Sequence, residues 1–255
     1  MANSPTGDTM IERIIRILAA FDREQTDLTP SEVARRSGLP VSSTHRIVGD
    51  LTRAGILERD PDGNVRIGMR LWELTTRGSR ALALRQAAMP TMERVQAVVR
   101  EHTQLGVVDR DEVLFIERLS DPGAVSNKAV IAGRLPLHAS SSGLVLLAFG
   151  RQQLRERILN GSLPPVGPAT ITDRSQLRRR LETVRRDGYA ILPASIESVS
   201  TGIAVPVVDR IGATVAALSV VIPHGSPEVP KALAALLDGA KAIGRAIENY
   251  DILSH

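Results

Sequence analysis

Apolar residues at Ile11, Ile14, Ile15 and Leu18 recur at the spacing of one helix face, with Arg13 and Arg16 pointing elsewhere. They predict a first amphipathic helix. A second begins at Thr29-Pro30-Ser31-Glu32, where Thr caps, Pro occupies the first helical position and Glu closes a capping box; Gly38 and Pro40 stop it soon afterwards. The third runs from about Val41 to Ala54 and ends at Gly55. On that helix Thr44, Ile47, Val48, Leu51 and Ala54 share one side. Ser42, Arg46, Gly49 and Arg53 form a row on the other, flanked by Ser43, His45 and Asp50. Two short extended runs, Ile56–Arg59 and Asn64–Ile67, bracket the turn Asp60-Pro61-Asp62-Gly63 and predict a hairpin. Three helices with a glycine turn before the third, followed by a hairpin, describe a winged helix-turn-helix.

From Gly68 the pattern is helical again through Trp72 to Ala88, a linker helix, and Pro90 opens another helix reaching about His102. Strand-like runs follow at Gln104–Val108, Val113–Leu119 and Val125–Ile131, then helical runs at Ser141–Phe149, Gln152–Asn160 and Asp173–Asp187. Tyr189–Leu192, Thr201–Val208 and Ala213–Ile222 read as strands, and Glu228–Tyr250 as a final amphipathic helix. This alternation predicts an α+β domain around an antiparallel sheet. The organisation is therefore 1–68 for the winged helix-turn-helix, 69–88 for the linker helix and 89–255 for the α+β domain. Ser162–Pro168, rich in Pro and Gly, reads as a floppy insertion.

Composition narrows the choices. The 255 residues contain no Cys, which removes disulfides, thiolate metal sites and cysteine nucleophiles and suggests a cytoplasmic setting. No apolar run approaches the roughly 20 residues that span a bilayer, and the N-terminus does not read as a secretory signal, so no membrane partner is expected. Net charge is +4, yet residues 1–70 balance ten Arg against ten Asp or Glu; the excess lies further along. A uniformly basic coat for nucleic acid is excluded. Six aromatic residues are too few for recognition by stacking unpaired bases. If nucleic acid is bound, a shaped element entering a duplex groove must do it.

The third helix fits that role. Thr29, Ser42 and Ser43 lie at helix starts, where hydroxyl and backbone N–H groups meet phosphate; Arg46 and Arg53 reach phosphates or guanine edges, His45 flanks them, and Gly49 lets the backbone approach. Arg59 and Arg66 belong to the wing. A solvated helix face with ordinary arginines is the plainer alternative for any one of these residues.

The stretch LTPSEVARRSGLPVSSTHRIVGDLTRAGILERDPDGNVRIG (28–68) resembles the DNA-binding domain of the IclR-type bacterial transcription regulators. LPLHASSSGLVLLA (135–148) and GYAILPASIESVSTGIAVPVVDRIGATVAALSV (188–220) resemble two segments of that family's ligand domain. The resemblance implies a GAF/PAS-like C-terminal domain, a homodimer or dimer of dimers on a palindromic double-stranded DNA operator, and control by a small-molecule effector, with repression the commoner outcome. It places the effector between the sheet and the loop entering the LPLHAS helix, where the N–H groups of Ser141 and Ser142 suit a carboxylate, and it gives Ser219 a pocket hydroxyl position. Where the family often has acids and small polar residues, this chain has Leu192, Ser195, Gly202 and Val221, with Glu197 the acid that remains nearby. The expected pocket is less polar than that of a glyoxylate- or pyruvate-type sensor and favours a larger or more apolar organic acid.

Other chemistry is poorly supported. His138 beside Ser140–Ser142 lacks the Gly-x-Ser-x-Gly elbow of a hydrolase, the five His have no metal-ligand spacing, and no glycine-rich nucleotide cradle occurs, so neither cofactor nor metal nor enzymatic activity is expected. An effector-independent architectural DNA binder and an enzyme fused to a DNA-binding module remain as alternatives.

Overall fold

A computed structural model describes residues 7–22, 24–127 and 131–248. The chain divides into two compact units, Met1–Ser79 and Arg80–His255.

The first unit holds α1 (Met10–Leu18), α2 (Pro30–Ser37), α3 (Val41–Arg53), the strands β1 (Leu57–Arg59) and β2 (Val65–Ile67), and α4 (Met69–Gly78). Both α1 and α2 begin with a reciprocal capping box, Thr9 with Glu12 and Thr29 with Glu32. Gly38 ends α2 with φ +63°, the left-handed conformation a glycine adopts without strain, and so turns the chain into α3. β1 and β2 pair antiparallel, and Leu28 is stitched to Val65 by two backbone bonds of 2.9 and 2.7 Å, which fixes the wing against the start of α2. Ile17, Val33, Ile47, Val48, Leu57 and Val65 form the core. Of the stripe expected on α1, Ile14 and Leu18 are half-buried against the core, whereas Ile11 and Ile15 are 69% and 58% exposed; the enclosed residue is Ile17, which the expected stripe did not include. On α4 no side chain is buried, and Trp72 is 62% exposed.

The second unit is a six-stranded antiparallel sheet ordered β5-β4-β3-β8-β7-β6, formed by β3 (His102–Asp109), β4 (Glu112–Ser120), β5 (Arg134–Pro136), β6 (Ala190–Pro193), β7 (Ser200–Val208) and β8 (Thr214–Pro223). Its helices are α5 (Arg80–Val99), α6 (Ser141–Phe149), α7 (Gln152–Asn160), α8 (Arg174–Asp187) and α9 (Val229–Glu248). Alternation along the strands divides the core between two faces. Ala216, Leu218, Val220 and Ile222 of β8 meet α5 and α9, while Ala217 meets the layer of α6 to α8. A bulge at Leu105/Gly106 opposite Glu117/Phe115 flips β4, so Phe115 faces α6 while the buried carboxylate of Glu117 accepts from Arg85 of α5.

Several expectations need correction. The helix predicted over 69–88 is two helices parted at Ser79, and Pro90 lies inside α5 instead of opening a new helix. Leu84, Ala87, Ala88, Met92 and Val95, on both sides of Pro90, bury against one sheet face, and this packing outweighs the lost N–H bond. Residues 125–127 carry no strand, and the rest of that run includes 128–130, outside the described residues; the edge strand is β5. The predicted end of the last helix at Tyr250 also lies outside them. The loop 162–168 is tied down: His138 Nε2 lies 2.9 Å from the Pro164 carbonyl, and the Thr170 hydroxyl donates to the Ser195 carbonyl at 2.8 Å.

Candidate functional site

The exposed side of α3 carries Ser42, His45, Arg46 and Arg53, with Ser43 and Gly49 half-buried, above a face sealed by Thr44, Ile47, Val48 and Leu51. Unlike α1 and α2, α3 has no side-chain cap; Pro40 precedes it and supplies none. Its first N–H groups have no intrahelical acceptors and stand beside the Ser42 and Ser43 hydroxyls, which suits a phosphate. Thr29 is not free for such a role, because its hydroxyl is engaged with Glu32 in the α2 capping box.

The arginines are preorganised by nearby acids or, for Arg59, by a backbone carbonyl. Arg46 and Arg53 share Asp50, Arg59 Nη1 donates to the Gly63 carbonyl at 2.9 Å across the wing turn, and Arg66 lies 3.4 Å from Glu58. Glu58 also accepts from the Met69 N–H, which holds its carboxyl below the usual range and locks the wing to the start of α4. Exposed pairs of this kind are individually weak, so exchanging Asp50 for a DNA phosphate costs the protein little.

In the second unit a cavity lies between the sheet and the start of α6. Six of the expected effector residues line it: Ser141, Ser142, Leu192, Glu197, Gly202 and Val221. Ser219 is not in the lining; it sits behind it, accepting from the Ser142 hydroxyl at 2.8 Å. Ser140 caps α6 by accepting from the Gly143 N–H, which leaves the N–H groups of Ser141 and Ser142 as helix-start donors at the cavity. The wall opposite is open because position 202 is glycine: a Cβ there would lie 2.8 Å from the Ser141 hydroxyl.

Several lining residues escaped the sequence reading, among them Gln104, Phe115, Leu135, Ile196 and Ser200. Gln104 matters most. It is 2% exposed, and its Nε2 has no hydrogen-bond partner. It pairs with Ser219 across β3 and β8, which puts this donor near the Ser142 end of the cavity. Phe115, Leu135, Leu192, Ile196 and Val221 make much of the remaining wall apolar. Glu197 lines the cavity as well, and its carboxylate accepts from Ser126 at 2.6 Å. The loop bearing Ser126 is held from below by His102, whose Nε2 faces the Val125 carbonyl. Burial holds the His102 pKa below its ordinary value, keeping the ring neutral.

A winged helix-turn-helix with an uncapped, arginine-bearing third helix, joined to a sheet domain with a donor-lined cavity, defines a ligand-responsive DNA-binding regulator. Residues 10–61 match the family described as the IclR helix-turn-helix domain and residues 79–248 that described as the bacterial transcriptional regulator IclR C-terminal domain. The chain belongs to the IclR family of transcriptional regulators, which are not enzymes.

Among its relatives is the HTH-type transcriptional regulator XynR of Escherichia coli, 29% identical over 82% of this chain and 84% of that protein. The Pca regulon regulatory protein of Pseudomonas putida is 27% identical over 84% of this chain and 76% of its own length. A solved IclR homologue from Microbacterium hydrocarbonoxydans, complexed with 4-hydroxybenzoate, is 51% identical with a TM-score of 0.87, covering 94% of this chain and all of that one. Among the described residues no helix is long and apolar enough to cross a membrane.

Proposed function

We propose that this regulator senses a hydroxylated aromatic monocarboxylate of the 4-hydroxybenzoate type. In this reading residues 1–68 bind the operator, 69–88 connect, and 89–255 hold the effector and oligomerise. The observation that carries the proposal is the donor set at one end of an otherwise largely apolar cavity: the buried, unpartnered Gln104 Nε2 beside the N–H groups of Ser141 and Ser142. Three neutral donors stabilise a carboxylate by charge-assisted hydrogen bonds, without Lys or Arg. Phe115, Leu192 and Val221 supply surface for a ring, and Glu197 an acceptor for its hydroxyl. The 4-hydroxybenzoate complex of the 51% identical homologue points the same way.

Calorimetry on the full chain against 4-hydroxybenzoate, benzoate, pyruvate and glyoxylate tests this. The hydroxylated aromatic acid is expected to bind tightest, and binding confined to the two small keto acids would refute it.

The operator is proposed to be palindromic and read by a homodimer or a dimer of dimers, with repression as the basal state. The apolar side chains left exposed on α1 and α4, Ile11, Ile15, Met69 and Trp72, suit burial against a second copy. Sedimentation of Trp72→Glu is expected to show a weakened dimer; an unchanged mass at all concentrations would place the interface elsewhere.

A further inference from the structure

The positive charge of the chain is concentrated on one helix pair. Residues 151–187, which contain α7 and α8, hold nine Arg against four Asp or Glu, an excess larger than the net +4 of the whole chain. A groove runs between the two helices, with Leu159 and Leu181 among its lining and Arg155, Arg178 and Arg185 beside Glu156 and Glu182. It shares no residue with the cavity at Gln104.

Elsewhere on this domain arginines meet acids: Arg157 with Asp111, Arg186 with Asp187 and Arg134 with Asp109. Among the described residues, none of the three groove arginines has such an ion pair, although two carboxylates stand in the same groove. Glu156 is instead engaged by Gln152 at 3.0 Å. The Nη1 of Arg155 is closed off from solvent with no acceptor in reach. Arg185 is anchored through Nε to the Ala148 carbonyl, so its remaining edge carries the unused donors. Arg155 and Arg185 line the same groove; burial first, and the like charge of Arg155 second, hold the Arg185 pKa below its ordinary value.

We propose that the α7–α8 groove is a second ligand site, separate from the effector cavity, which binds a doubly charged oxyanion of the phosphate class. Glu156 and Glu182 lower the formal charge of the lining to +1, so geometry decides: a tetrahedral phosphate offers oxygens to two planar donor forks at once, which the single edge of a carboxylate does not. The source is either free phosphate or a phosphate monoester, and the two leucines provide an apolar surface for the carbon part of an ester.

The test is calorimetry on the full chain at constant ionic strength, with inorganic phosphate, glycerol 3-phosphate and acetate as titrants. Saturable binding of at least one phosphate, little heat from acetate, and about tenfold weaker binding in both Arg155→Gln and Arg178→Gln are expected. Tighter binding of inorganic phosphate than of glycerol 3-phosphate would identify the free ion as the ligand, and the reverse order an ester. Arg178 is exposed, so its variant keeps the test open if Arg155→Gln does not fold. No saturable phosphate binding, or binding that survives both substitutions, would overturn the proposal. So would binding lost in Arg46→Gln, which would put the anion on α3.

Discussion

Replacing Gln104 with Leu separates a ligand-recognition role from a structural one by the signs of two effects. The side chain is 2% exposed and its Nε2 has no partner in the protein, so the ligand-free fold carries the cost of a desolvated donor, about 1–3 kcal/mol. Leu is of similar length and removes that donor while keeping most of the packing against the neighbouring strands. The ligand-free protein is therefore expected to be unchanged or up to about 1 kcal/mol more stable, with a correspondingly higher melting temperature. Affinity should move the other way. A hydrogen bond to a charged carboxylate is worth about 1.5–3 kcal/mol, so the Kd for 4-hydroxybenzoate is expected to rise roughly 10- to 150-fold. Chemical denaturation and calorimetry on the same preparation read both quantities. Lower stability with unchanged affinity would refute the reasoning, because it would make Gln104 an ordinary core residue with a partner the geometry does not reveal.

Gly202→Val places branched carbons against the Ser141 hydroxyl, 2.8 Å from where the first of them would sit. Effector binding is expected to weaken at least about tenfold while the fold and DNA affinity are kept, as circular dichroism and anisotropy would show; full-strength effector binding would mean that the ligand lies elsewhere. Hydrogen bonds from Thr9, Thr29 and the Met69 N–H hold Glu12, Glu32 and Glu58 below their ordinary value of 4.5. Because the folded-state values are the lower ones, the stability these acids give is present at neutral pH and is lost as pH falls below about 4.5 through the depressed values. The helices of the first unit are expected to melt earlier in acid, and the triple Glu→Gln variant to show a flatter acid limb; an identical limb would exclude these caps as its cause.

What the sequence disclosed tracks how local the physics is. Thr29, Glu32 and Gly38 fix both ends of α2 through contacts within a few residues, and Asp62-Gly63 does the same for the wing turn. The start of α6 was legible for the same reason, since Ser140 caps it through the Gly143 N–H. Pro90 misled because its local penalty is outweighed by side chains burying on sheet strands far away in sequence. The short strand β5 was hidden by its three-residue length and its Pro136. The cavity was half legible: Ser141, Ser142 and Gly202 lie in recognisable segments, but Gln104 and Phe115 join them only when β3 and β4 pair. The one available signal was a polar Gln opening the strand-like run Gln104–Val108, directly after His102 and Thr103.

The most direct test of the whole account is fluorescence anisotropy at fixed physiological salt. The duplex from upstream of the protein's own gene is compared with a scrambled one, with and without 4-hydroxybenzoate, for the natural chain and Arg46→Ala. About a thousandfold preference for the natural fragment is expected, reduced at least about tenfold by Arg46→Ala, and shifted about 5- to 150-fold by the effector. Equal preference in the natural chain and Arg46→Ala, unmoved by the effector, would contradict both the reading helix and its control from the cavity.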